Sequence, residues 1–249
     1  GSADDTLTGL GVDSTWALSD MDHGVYTSAS TGANALSFTS IQSLVGLAGA
    51  DQFVFADNAA VTGTLDGGAG TDTLDYTAYT TTVTVGLGEG TATGTGGVVR
   101  IENVTGGSAD DLLTGDDNAN RLDGGIGDDT LDGGAGNDTL IGGVGTDALT
   151  GGTGDDRYLF GDDWGVNDIV VELPDEGYDT IDFSLTTVDL DVTFGLGITV
   201  TDGTNSISAA GNNVEAFVGG SGVANFHLDD ASTKNVVLTG LGTDVGFKG

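Results

Sequence analysis

Cysteine is absent from this 249-residue chain and proline occurs once. Without cysteine there is no disulfide and no thiolate metal or redox site. Basic residues are scarce as well: five Lys and Arg stand against 39 Asp and Glu, a formal net charge of −34. Such a field repels nucleic acid and anionic membrane surfaces, so neither is expected as a partner. No apolar run approaches the ~20 residues of a membrane-crossing helix, so membrane insertion is not expected either. The opening Gly1-Ser2-Ala3-Asp4-Asp5 has neither the basic end nor the apolar stretch of a signal peptide. Aromatics make up 6% of the residues, too few for one thick core. Glycine, by contrast, supplies 46 residues. Glycine with high net charge is the composition of a disordered chain; the order of the residues argues for a folded one.

From Gly106 the chain advances in nines. Blocks begin at Gly106, Gly115, Gly124, Gly133, Gly142 and Gly151. The sixth position reads Asp111, Asn120, Asp129, Asp138, Asp147 and Asp156, and the eighth reads Leu113, Leu122, Leu131, Leu140, Leu149 and Tyr158. A repeat kept in register without insertion decides the architecture before any local propensity does.

Blocks such as Gly124-Gly125-Ile126-Gly127-Asp128-Asp129-Thr130-Leu131-Asp132 resemble the RTX (haemolysin-type) calcium-binding repeat, G-G-x-G-x-D-x-U-x. The resemblance implies a parallel β-roll with Ca²⁺ between its turns. It also implies export as an unfolded chain through a type I secretion channel, with calcium-driven folding outside the cell. The residues support this on physical grounds. Positions one to six are turn-like, and positions seven to nine are expected to form a very short strand with one apolar side chain inward. Glycines permit the φ > 0 conformations that aim successive carbonyls inward. The expected carbonyl ligands are Gly107, Gly125, Gly127, Gly134, Gly136, Gly142, Gly143, Gly145, Gly151, Gly152 and Gly154. Two nonapeptides make one coil, so alternate blocks stack at about 4.8 Å. Asp111 then lies over Asp129, Asn120 over Asp138, Asp129 over Asp147 and Asp138 over Asp156. Stacked carboxylates repel unless a cation lies between them. Oxygen ligands without cysteine or nearby histidine suit calcium and serve zinc or copper poorly.

Degenerate blocks extend the ladder. Asp163 to Val171 and Pro174 to Asp182 fit after insertions, pairing Asp147 with Asp168 and Asp156 with Asp179. Upstream, Asp51 and Asp72 are expected to share an ion across a block, Asn58 to Asp66, that has Gly63 at its sixth position. The expectation is roughly four to seven Ca²⁺, one per stacked pair. A second motif occurs three times, as Ile41-Gln42-Ser43-Leu44-Val45-Gly46, Ile101-Glu102-Asn103-Val104-Thr105-Gly106 and Val214-Glu215-Ala216-Phe217-Val218-Gly219. Segments such as Thr82 to Leu87 and Asp191 to Phe194 alternate like strands and are expected in hairpins or longer coils. The block from Gly219 to Ala224 lacks its aspartate and is assigned no ion. Gly1 to Gly9, set after Gly249, would recreate the block start at Gly106, as in an array cut at its own period; a cloning remnant at Gly1-Ser2 is the alternative.

Catalytic signatures are missing. His23 and His227 lie far apart, and neither H-E-x-x-H nor G-x-S-x-G occurs. Asp110-Asp111, Asp128-Asp129 and Asp155-Asp156 are better read as a ligand beside a solvated turn residue than as an acid–base pair. Trp16, Trp164, Tyr26, Tyr76 and Tyr79 are read as core or end-closing residues rather than as a sugar-binding face. The third and fifth repeat positions, such as Ile126 with Asp128 and Val144 with Thr146, form no Thr–Asn rank that would bind ice.

The sequence therefore predicts an all-β, parallel β-roll or β-helix solenoid with Ca²⁺ between stacked turns and less regular β flanks, and not an enzyme. Its expected parts are an N-terminal flank or cap (1–45), a short degenerate roll (46–75), a hairpin-like insert (76–105), the main roll (106–182) and a C-terminal flank (183–249). The expected role is a structural module of a secreted or cell-surface bacterial protein (adhesin, surface layer or fibre), stacking end to end or as tandem copies. The alternatives are a non-catalytic region of a secreted enzyme or toxin, and a glycan-binding module.

Overall fold

The computed structural model describes residues 4–29, 35–172, 177–194, 197–210, 214–228, 237–239 and 245–248. The chain-end residues Gly1, Ser2 and Gly249 lie outside them, as do Pro174-Asp175-Glu176 of the last degenerate block. Every regular element among the described residues is a β-strand. The chain forms two compact units, Gly1–Asp116 and Asp117–Gly249.

In the second unit the nonapeptides wind into a parallel β-roll. One wall stacks strands Arg121–Ile126, Thr139–Val144, Arg157–Leu159, Thr180–Asp182, Ala216–Val218 and Val237–Thr239, each parallel to the next. The other stacks Thr130–Ala135, Ala148–Thr153, Val166–Val171 and Ser206–Ala210 in the same manner. Leu122 pairs with Leu140 and Leu131 with Leu149, an offset of two nonapeptides per coil. Beyond the regular run the second wall turns antiparallel through Gly197–Thr201 and Leu190–Phe194, then resumes parallel pairing with Ala224–Leu228 and Val245–Lys248.

Side-chain alternation along a strand explains the core. The eighth-position residues Leu122, Leu131, Leu140, Leu149 and Tyr158 are fully buried, while the residues on each side of the four leucines are more exposed. One apolar residue per nonapeptide is a thin core for a glycine-rich segment, whose ordering loses more backbone entropy than average. Aromatic residues thicken it after the regular run. Phe160 stacks on Phe183 at 4.9 Å, Trp164 meets Phe183 at 5.0 Å, and Phe183 contacts Phe217 at 5.6 Å.

The strands are longer than the repeat alone suggests. The expected three-residue strand is six residues in Arg121–Ile126, Thr130–Ala135, Thr139–Val144 and Ala148–Thr153, running from position seven through position three of the next block. Gly125 pairs with Gly143 and Gly134 with Gly152, so the missing β-carbons let coils approach closely enough to continue the ladder through the glycines.

The first unit repeats the parallel pattern with more interruption. Strands Thr6–Thr8, Ser43–Val45, Thr64–Asp66 and Gly97–Val99 form one parallel sheet. Asn103–Thr105, Thr73–Asp75, Asp51–Phe55 and Ser14–Asp20 form a second, which continues antiparallel into His23–Ser28 and Ala35–Thr39. Thr84–Gly86 pairs parallel with Leu112–Thr114 and makes a hairpin with Thr91–Ala92. Trp16 stacks on Phe53 at 5.8 Å and Phe55 on Tyr76 at 4.4 Å.

Candidate metal centre

Each coil turns between walls on three residues, as in Gly136-Asn137-Asp138 and Gly145-Thr146-Asp147. The glycines entering the turn are left-handed: Gly125, Gly127, Gly134, Gly136, Gly143, Gly145, Gly152 and Gly154 have φ from +95° to +154°. A β-carbon on Gly143 or Gly145 would overlap the carbonyl oxygen of Gly125 or Gly127 one coil earlier, and Gly152 and Gly154 meet Gly134 and Gly136 in the same way. These carbonyls therefore run along the stacking direction, where only glycine fits. Gly142 and Gly151 are not left-handed; Asp147 and Asp156 fold their Oδ2 atoms against these two α-carbons. Gly107 is not left-handed either, and its N–H donates to Asp111 Oδ2 at 2.6 Å.

The sixth-position side chains make a ladder. Asp138 Oδ1 accepts the backbone N–H of Asn120 at 2.7 Å, Asp147 that of Asp129 at 2.8 Å, and Asp156 that of Asp138 at 2.7 Å. The rungs continue with Asp168 accepting from Asp147 at 3.0 Å and Asp179 from Asp156 at 2.9 Å. In the first unit Asp72 accepts from Asp51 at 2.8 Å. The hydroxyl of Ser14 donates to Asp51 in turn, so a neutral residue starts that ladder. Asp111 accepts from Val83 at 2.7 Å, an apolar residue in the preceding coil.

The sixth-position residues of these ladders are at most 4% exposed, which makes their charge the central question. The Oδ2 atoms of Asp51, Asp72, Asp147 and Asp168 are buried without a hydrogen-bond partner. A dry carboxylate oxygen with no donor is costly, and a column of them compounds the cost by repulsion. In the metal-free chain burial pushes Asp72 and Asp147 up to about 6 and Asp168 up to about 7. Above these values the buried carboxylates are charged, and a cation between them would offset their repulsion. Hard oxygen donors alone, from carboxylates and adjacent carbonyls, fit calcium.

Two parts of this site have no repeat position to mark them. Glu172 lies one residue beyond Val166–Val171, and its carboxylate comes within 4.8 Å of those of Asp156 and Asp179 in a wholly buried triad. Tyr158 donates its hydroxyl hydrogen to Glu172 and accepts the Gly151 N–H at 2.6 Å. Burial, and then the Asp179 and Asp156 charges, push the Glu172 carboxyl up. The second part is the thrice-repeated motif, whose second position closes the ladders that end at Asp72 and Asp179. Glu102 accepts the Asp72 N–H at 2.7 Å, Glu215 the Asp179 N–H at 2.9 Å, and Gln42 the Asp5 N–H at 2.9 Å. The motif is visible in the sequence; its role depends on which coil it stacks against.

The fifth-position residues are exposed, as expected of a solvated turn residue, and they also tie coils together. Asp128 accepts the N–H of Thr146 at 2.8 Å, Asn137 that of Asp155 at 3.0 Å, and Asp155 that of Tyr178 at 2.9 Å. Trp16, Trp164, Tyr26, Tyr76 and Tyr79 are all buried and present no face to a sugar.

Stacked coils, left-handed glycines and a column of dry aspartates define a β-roll with the oxygen donors of a cation site between its coils. The family model of the RTX calcium-binding nonapeptide repeat matches in four copies, over residues 64–78, 96–131 and 123–158. The chain thus carries RTX repeats, which bind Ca²⁺, and is a calcium-binding repeat module. Such repeats are generally structural and typical of exported proteins. No curated protein matches the chain. No helix of the described residues is long and apolar enough to cross a membrane.

Proposed function

We propose that calcium ions occupy the rungs Asp51–Asp72, Asn120–Asp138, Asp129–Asp147, Asp138–Asp156, Asp147–Asp168 and Asp156–Asp179. The left-handed glycines contribute carbonyls, and Glu172 joins the last rung. The carrying observation is the run of dry Oδ2 atoms without a donor, at Asp51, Asp72, Asp147 and Asp168. Between Gly106 and Asp182 there are 20 acidic residues and two basic ones. Without metal, self-repulsion and glycine entropy oppose closure of this stretch. With calcium, ligand binding becomes folding energy, and stacking makes it cooperative.

The biological reading is a structural module of an exported bacterial protein (adhesin, surface layer or fibre), released through a type I channel and folded by near-millimolar calcium outside the cell. End-to-end association of modules belongs to the same reading. The second reading is a non-catalytic region of a secreted enzyme or toxin, since the repeats serve either context. A calcium titration followed by circular dichroism and light scattering, with magnesium as control, tests both parts. A cooperative rise in β signal with calcium alone supports the folding switch, and growth in particle size supports association. A chain whose β signal and stability are the same in chelator and in calcium overturns the proposal.

A further inference from the structure

Arg100-Ile101-Glu102 stands in place of positions one to six of a nonapeptide, between strands Gly97–Val99 and Asn103–Thr105. Three observations establish the equivalence. At a regular rung, a β-carbon on the block's first glycine would overlap two oxygens: the Oδ2 of its own aspartate and the carbonyl of the next coil's first glycine. Gly124 meets Asp129 Oδ2 and the Gly142 carbonyl, and Gly46 meets Asp51 Oδ2 and the Gly67 carbonyl. Gly67 meets Asp72 Oδ2 and the carbonyl of Arg100, so Arg100 stands where the next first glycine would stand. The carboxylate of Glu102 then accepts the Asp72 N–H at 2.7 Å, the bond that an aspartate Oδ1 accepts at every regular rung. The backbone matches as well, since Glu102 and Asn103 both donate to the Asp72 carbonyl, at 3.2 and 2.9 Å.

The local chemistry explains how three residues suffice. Arg100 takes a left-handed φ of +55°, as does Ser40 before the first copy of the motif at +59°. The Arg100 guanidinium makes two bonds to Asp66. Glutamate is one methylene longer than aspartate, and that length makes up for the missing turn. What remains is an oxygen set around Asp72, whose Oδ2 is fully buried and has no hydrogen-bond partner.

We propose that Asp72, Glu102 and the Arg100 carbonyl form a terminal calcium site, and that the Ile/Val-Glu motif is the element that closes a calcium ladder. At the other ladder Glu215 repeats the carboxylate part, accepting the Asp179 N–H at 2.9 Å, while Glu215 and Ala216 both donate to the Asp179 carbonyl at 3.0 Å. Such a site has fewer protein oxygens than a regular rung, because the second and fourth carbonyls of the turn are gone. It takes water in their place and holds calcium more weakly. The first copy has Gln42 at this position, which keeps the hydrogen bond to Asp5 without the charge. It shows that an amide is compatible with the geometry.

The inference rests on the calcium-ladder reading, and native mass spectrometry over a calcium titration separates the two. Glu102→Gln keeps the acceptor for the Asp72 N–H and removes the charge. The expected result is one bound calcium fewer than wild type, the loss falling on a weak site, and two fewer in Glu102→Gln/Glu215→Gln. Asp138→Asn, shared by two rungs of the regular run, is the reference for loss from strong sites. Should Glu102→Gln fail to fold, Glu102→Asp draws the charge back by one methylene and is expected to lose the same ion. An unchanged ion count and affinity in a folded Glu102 variant overturns the terminal site and leaves the ladder standing. A wild-type chain that binds no calcium overturns both.

Discussion

Asp147 donates its backbone N–H to Asp168 Oδ1 at 3.0 Å, across 21 residues where a regular rung spans 18. Asp156 reaches Asp179 across 23 residues at 2.9 Å. The extra residues leave the rung geometry unchanged because they bring packing of their own. Phe160, inside the first insertion, is buried against Trp164 and Phe183. The fold conserves the carboxylate-to-amide rung and lets the number of residues between rungs vary.

The rungs set the pH dependence of the metal-free chain. Burial raises Asp72 and Asp147 to about 6 and Asp168 to about 7, from an ordinary value near 4. Between these limits the folded state holds more protons than the unfolded one, so stability falls as pH rises. The contribution is fully present below about pH 4 and lost by about pH 7. Chemical denaturation in chelator is expected to show a midpoint that drops steadily over this range. Calcium uptake must release protons, so the calcium needed for folding falls as pH rises. A metal-free stability that is flat, or that increases from pH 4 to 7, contradicts the buried-rung geometry.

Asp147→Asn and Asp147→Ala separate the two tasks of a rung. Asparagine retains an acceptor for the Asp129 N–H and removes the charge, so in chelator at pH 7 it is expected to match or exceed wild type. In calcium it should be less stable, because the ion loses a ligand. Alanine removes the acceptor as well and is expected to cost about 1–3 kcal/mol under both conditions. Denaturation midpoints with and without calcium decide it, and an asparagine variant weaker than wild type in chelator counts against the repulsion argument.

The all-β roll and most rungs were legible in the sequence because stacking converts a linear period into a spatial one. Gly106 to Leu159 runs in unbroken nines, so Asp129 over Asp147 follows from counting. Asp168 and Asp179 were also reachable, since their insertions leave the sixth-position aspartate beside a recognisable strand. Glu172 was not, because its approach to Asp156 depends on how the chain returns after Val166–Val171. Glu102 and Glu215 were hidden differently: the motif was seen, but a carboxylate three residues into a coil does not look like the sixth residue of a turn. The six-residue strands were missed because glycine has low strand propensity, and close stacking outweighs it here.

Glycine is required at the turn by contact as well as by φ. Gly145 has φ +154°, and a β-carbon there would overlap the Gly127 carbonyl of the preceding coil. Backbone cannot move aside as a flexible side chain does. Gly145→Ala is expected to destabilise the calcium-loaded chain by more than the ~1 kcal/mol of a simple propensity change. Gly161→Ala is the control, because nothing lies within 4 Å of a β-carbon at Gly161. Thermal melts in calcium should show a clear drop for the first variant and almost none for the second.

Tyr158 and Glu172 are bonded to each other, yet their substitutions should separate by condition. Tyr158 fills the eighth-position core, accepts the Gly151 N–H at 2.6 Å and donates to Glu172. Tyr158→Phe keeps the ring and removes both bonds, so a buried N–H loses its acceptor at a cost of about 1–3 kcal/mol. That loss is structural and should appear equally in chelator and in calcium. Glu172→Gln replaces a buried acid whose carboxyl is already pushed upward. It is expected to leave chelator stability unchanged or raised at pH 7, while weakening calcium binding at the Asp156–Asp179 rung. Calorimetric calcium titration beside denaturation in both conditions gives the comparison. If Glu172→Gln binds calcium as wild type does, the triad is a proton-sharing cluster and the ion sits on the two aspartates alone.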